Sequence, residues 1–114
     1  MKLADEYIHP GDIELTALEV GRDLLLLITG GVSHIGAAST AFLIGDQVEV
    51  LTSAVPHHKE HTLSEGIAHR IATALRRSVT VVMGIHYDDL TKEGIQQVVE
   101  IVNAKVEQYL LQQS

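Results

Sequence analysis

Two short stretches of this chain combine glycines with a histidine, and each follows a continuous apolar run. The first is Gly30-Gly31-Val32-Ser33-His34-Ile35-Gly36, directly after the run at residues 24–28. Glycine allows positive φ and close backbone approach, and successive amides in such a turn can cradle an anion. Ser33 and His34 add a hydroxyl and an imidazole, both suited to phosphate or carboxylate. The spacing fits neither the dinucleotide fingerprint nor the phosphate loop, and no lysine follows. The plainer reading is a glycine bulge joining two strands, with His34 exposed on it.

The second stretch is Gly84-Ile85-His86-Tyr87-Asp88-Asp89, between another apolar run and a helix start. Strand ends facing a helix N-terminus attract anions, because the helix dipole is positive there. His86 and Asp88 could orient one another or share a metal. The plainer reading makes Asp88 or Asp89 a helix cap.

A third cluster, Pro56-His57-His58-Lys59-Glu60-His61, holds three histidines in five residues. Adjacent His57 and His58 do not match the i, i+4 spacing of helical metal ligands, and Lys59 disfavours a dication. Phosphate binding by Lys59 beside an imidazole is the better functional version; a solvated polar loop is the alternative. A metal, if one is bound, would draw on His57, His58, His86 and Asp88.

Other chemistry is poorly supported. The chain has no cysteine, and no serine sits in a Gly-x-Ser-x-Gly elbow. No carboxylate pair of the glycosidase type can be singled out. One Phe, three Tyr and no Trp give no stacking platform for single-stranded nucleic acid. A net charge of −7 argues against nonspecific nucleic-acid binding. Arg70, Arg76 and Arg77 form one local basic spot able to take an anion, although a solvated helix face explains them too.

These residues need elements to position them. The 114 residues fit one domain, 1–114, with residues 1–10 as a lead-in. The 46% hydrophobic content supports a folded core. The absence of cysteine fits a reducing cytoplasm, no apolar signal segment opens the chain, and no run is long enough to span a bilayer. Alternation predicts a strand over 13–20 and a hairpin turn at 21–23 into a continuous apolar strand over 24–28. A break at 29–36 precedes strands over 37–44 and 47–51, followed by a polar loop over 52–61. Thr62-Leu63-Ser64-Glu65 reads as a capping box opening a helix with Leu63, Ile67, Ile71 and Leu75 on one stripe. A buried strand over 79–83 follows. Thr91 or Asp89 caps a last helix carrying Ile95, Val98, Val99, Val102, Val106, Tyr109 and Leu110. Gly94 in its first turn costs about 1 kcal/mol against Ala and so implies a packing reason.

The expected fold is therefore α/β of the α+β type: one mainly antiparallel sheet of about five strands, with two helices on one face, in the order β-β-β-β-α-β-α. One sheet face is left uncovered, and a homodimer is the simplest way to cover it.

With these motifs in place the chain resembles a known family. Gly30-Gly-Val-Ser-His-Ile-Gly-Ala37, a four-strand meander, the histidine-rich loop with its lysine, and Val79-Thr-Val-Val-Met-Gly-Ile-His-Tyr-Asp88 look like the prenylated-flavin chaperones. These are the small D-type subunits encoded beside gallate- and hydroxyarene-type decarboxylases, similar in fold to dimeric, non-enzymatic proteasome-assembly chaperones. The resemblance implies a non-catalytic accessory protein that binds prenylated FMN, or FMN, and serves a decarboxylase catalytic subunit. It implies cofactor contacts at Gly30, Gly31, Ser33, His34, Ile35, Gly36, Lys59, Gly84 and His86, with the ring near Ala37 and Ile85. Two other classes stay open: a metal-dependent hydrolase or lyase using the histidines, and an assembly chaperone that binds protein only.

Overall fold

A computed structural model describes residues 8–56 and 60–113. His57, His58 and Lys59, and most of the lead-in segment, lie outside the described residues. A 3-10 turn, Pro10–Asp12, leads into β1 (Ile13–Val20), β2 (Asp23–Gly31), β3 (Ala37–Ile44) and β4 (Gln47–Ala54). Then come α1 (Glu60–Leu75), β5 (Val79–His86) and α2 (Lys92–Gln112). The α+β class and the element order are as the patterning predicts.

The strand order is β1-β2-β5-β3-β4. The expected four-strand meander is therefore divided, with β5 inserted between β2 and β3. It runs parallel to β2 and antiparallel to β3. The reason is visible in composition. β2 and β5 carry the two continuous apolar runs, and the centre of the sheet is where both neighbours and a core can absorb them.

Alternate residues of these strands meet both helices on one face. Leu24, Leu26 and Ile28, with Val79, Val81 and Met83, pack against Ile67 and Ile71 of α1 and Val98, Val102 and Val106 of α2. Each is worth roughly 1.5–3 kcal/mol in apolar burial. α1 settles on β3, and both elements contribute small buried residues there: Ala37, Ser39 and Ala41 against Ser64, Ala68 and Ala72. Ser39 Oγ and Ser64 Oγ, both fully buried, are 2.7 Å apart, and Ser39 also reaches Thr52 Oγ1 at 2.8 Å. Paired hydroxyls avoid the cost of burying a polar group alone, and they fix the first turns of α1 over the sheet.

The opposite face is open. Leu18, Val20, Ile44 and Leu51 are exposed on it, with Leu25, Leu27, Phe42 and Val82 half-buried between them. Arg77, one of the three arginines singled out above, has a structural role. It binds Glu19 and the carbonyls of Arg22 and Asp23. No described helix is long and apolar enough to cross a membrane.

Candidate functional site

The two glycine-histidine stretches come together, and they do so through strand pairing. Each expected break is partly strand. β2 continues through Gly30 and Gly31, which pair in register with Ile85 and His86 of an equally extended β5. A local pattern cannot show this, because the β5 partner of each glycine lies 55 residues away in the chain. β4 likewise runs on to Ala54 rather than ending at residue 51, and Val55 N–H donates to Gly36 O at 2.9 Å.

The glycines allow close backbone contact here. A Cβ on Gly84 would sit 1.6 Å from His34 O, so the His34 segment lies directly on β5. Gly31 has φ +63, and a Cβ there would meet His86 O at 2.2 Å. Gly36 N–H donates to Met83 O at 2.9 Å, and Val32 N–H to His86 O at 3.0 Å. The Gly36 amide is thus already committed to a strand carbonyl.

β3 leaves β5 at the Ala37–Met83 pair. The next edge donor, Ile85 N–H, is taken by a side chain instead: Glu60 Oε2 accepts it at 3.0 Å. The same oxygen lies 3.1 Å from His34 Nε2, within ion-pair distance. Both side chains are largely buried. A Cβ on Gly36 would lie 2.5 Å from the Glu60 carboxylate, so that glycine makes its room. The His34 ring meets the His86 ring edge to face, with centroids 6.0 Å apart, and His86 Nε2 reaches Asp88 Oδ1 at 3.1 Å.

Glu60 is the residue that pattern reading missed. The pattern puts it in a loop ahead of a capping box, but α1 already includes it, and Thr62 lies inside the helix rather than at its cap. The tie from Glu60 to Ile85 N–H and His34 anchors the helix one turn earlier than the Thr62–Glu65 motif suggests. At α2 the cap is Thr91, whose Oγ1 accepts Gly94 N–H at 3.0 Å. Gly94 is packed so closely that a Cβ would meet Leu90 Cδ1 at 2.5 Å, which is the packing reason its presence implied.

From this cluster a cleft of about 700 Å³ opens between α1 and α2. Its walls are mainly apolar: Leu63 and Ile67 on α1, Ile85 at the end of β5, and Leu90, Ile95 and Val98 on the far side. Glu60 and His86 line it where it meets the strand ends, and Arg70 and Asn103 line it further along the helices. Tyr87 also lines it, and its hydroxyl is buried. Burial raises the Tyr87 pKa, Asp12 raises it further, and the Gly31 amide opposes them. Such a volume, with apolar walls and few polar groups, is typical of a small-molecule site.

The predicted residues therefore divide. His34, Gly36, Gly84 and His86 gather near Glu60 at the strand ends, with Gly30 and Gly31 beside them in the ladder, and of these His86 lines the cleft. Ser33 and Ile35 are exposed on the connecting loop. Asp88 meets His86 alone, and no group of three metal-binding side chains occurs among the described residues. Lys59, His57 and His58 lie outside those residues.

Residues 9–114 match the family model described as the prenylated flavin chaperone LpdD-like domain. The chain is also similar to Protein LpdD of Lactiplantibacillus plantarum, at 37% identity over 79 residues. That match covers 67% of this chain and 58% of the relative, so it spans little more than half of that protein's length. With near-complete coverage by the family model, and with both glycine-histidine stretches inside the matched residues, the chain belongs to the LpdD-like prenylated flavin chaperone family.

Proposed function

We propose that this chain holds prenylated FMN, or FMN, in the cleft between α1 and α2 and passes it to the catalytic subunit of an aromatic-acid decarboxylase. The observation that carries the reading is the cleft itself, which a flat apolar ring system suits and which Ile85, His86 and Tyr87 of the second glycine-histidine stretch help to line. The ring lies between Leu63 and Ile67 on one side and Ile85, Leu90 and Val98 on the other. Its polar edge faces Glu60 and His86, with His34 holding Glu60 in place. Gly30, Gly31, Gly36 and Gly84 act by letting the two strands and the His34 segment close together. Ser33 and Ile35, and Lys59 as the residue before Glu60 in the sequence, complete the proposed contact set. When bound, the flavin would supply its conjugated heterocycle to the partner enzyme; this chain's residues bind, orient and shield it.

The open sheet face belongs to the same reading. A second copy of the chain covers Leu18, Val20, Ile44 and Leu51, giving a homodimer that works in the cytoplasm. The metal-dependent alternative finds no ligand cluster among the described residues to support it.

Coexpression with a flavin prenyltransferase tests the proposal. The purified protein is expected to carry a flavin absorption band, and the released cofactor the mass of prenylated FMN. A colourless protein from such cells, unchanged when flavin is added, would overturn the reading and leave a chaperone that binds protein alone.

A further inference from the structure

We infer that Arg70 is the phosphate-binding residue of the cleft, and that the flavin lies with its ring at the Glu60 end and its phosphate at the Arg70 end. This inference rests on the flavin reading above. It departs from the sequence-based expectation that the glycine-rich loop would hold the phosphate.

The charges on the cleft walls set the direction. At the strand ends the lining includes the Glu60 carboxylate, and Asp88 stands beside His86. A phosphate placed there would meet like charge, and the Gly36 amide is already bonded to Met83 O. Arg70 stands ten residues further along α1, a distance of about 15 Å at 1.5 Å per residue. A flavin ring with its ribityl phosphate tail can span that length. α2 starts from the same end of the sheet as α1, so Asn103 has travelled a similar distance and lies at the same end of the cleft as Arg70. Among the described lining residues, Arg70 supplies the guanidinium and Asn103 an amide donor. A guanidinium presents five N–H groups in a fork that matches phosphate oxygens.

Glu107 fixes the arginine in position. It lies one helical turn beyond Asn103, and its Oε1 pairs with Arg70 Nη2 across the two helices. Both side chains are about half exposed, so the pair is weak and leaves guanidinium donors for a ligand. The carboxylate also competes with phosphate for the same cation. Removing Glu107 and removing Arg70 should therefore act in opposite directions.

FMN and riboflavin differ only in the phosphate, and that difference isolates Arg70. Fluorescence titrations of the full chain with each flavin would be run on wild type, Arg70→Gln and Glu107→Gln. The inference predicts that Arg70→Gln weakens FMN about tenfold or more, the scale of a lost charge-assisted contact, and leaves riboflavin within about twofold. Glu107→Gln should tighten FMN and leave riboflavin unchanged. Equal effects of Arg70→Gln on both flavins, or none on FMN, would remove Arg70 from the phosphate site while the flavin reading stood. A wild-type protein that binds neither flavin would remove both. Thermal unfolding of each variant, expected to stay close to wild type because the pair is exposed, guards against a folding artefact.

Discussion

Gly66 offers a substitution that should stabilise the protein and weaken the proposed flavin binding together. It stands in the middle of α1, lines the cleft, and has no heavy atom within 4 Å of the position a Cβ would take. A glycine inside a helix costs about 0.8–1.0 kcal/mol relative to Ala, and Leu ranks close to Ala. At about 2.1 cal/mol/K per residue, 114 residues give an unfolding entropy of roughly 0.24 kcal/mol/K. Gly66→Ala should then raise Tm by about 3–4 °C and leave the cleft usable. Gly66→Leu should raise Tm at least as much, because its side chain gains apolar contacts with the cleft walls. It should also weaken flavin binding by about tenfold or more, since that side chain occupies the ring's space. Differential scanning fluorimetry without ligand and fluorescence titration with FMN read the two effects separately. A stabilised Gly66→Leu that binds flavin like wild type would refute the cleft as the site. A destabilised Gly66→Ala would refute the open space above Gly66.

Four further outcomes follow from the geometry. Gly84→Ala drives a Cβ into the His34 carbonyl and should cost about 3 kcal/mol or more, measured by urea unfolding. Glu60→Ala strands Ile85 N–H and should cost about 1–3 kcal/mol, whereas Glu60→Gln keeps an acceptor and should recover much of that loss. Tyr87 has its pKa raised by burial, so the folded state retains the phenol proton to higher pH than the unfolded chain. Stability should then fall as pH climbs past about 10 and through the folded value. Tyr87→Phe should flatten that fall and barely change stability at pH 7. Leu51→Glu on the open sheet face should convert a dimer to a monomer in light scattering, with the monomer's circular dichroism spectrum unchanged.

Patterning showed most of the elements and part of the site, and particular residues explain the division. β1 and β3 have the bounds that the patterning predicts, and each ends at a local turn: Gly21 and Gly45 both have positive φ, which a strand cannot continue through. β2 and β5 run past their predicted ends because Gly30-Gly31 and Ile85-His86 complete each other's hydrogen bonds, a nonlocal gain that outweighs poor local strand propensity. The insertion of β5 between β2 and β3 is also nonlocal, although the continuous apolar runs signalled that both belonged at the centre. His34 and His86 stand out in the sequence by their glycine neighbours, and the strand ends bring their rings together. Glu60 does not stand out, since its role depends on Ile85 N–H being left unpaired where β3 departs. The cleft was invisible until α1 and α2 were placed. Even so, a glycine between Leu63, Ile67 and Arg70 on one helical stripe was a signal that could have been read.

The proposed function requires one flavin in the cleft between the two helices. Native mass spectrometry of the protein purified from cells that also make prenylated FMN tests it most directly. Wild type is predicted to carry one prenylated FMN per chain, and Gly66→Leu prepared from the same cells to carry none. Wild type without bound flavin, or Gly66→Leu with a full complement, would contradict the account.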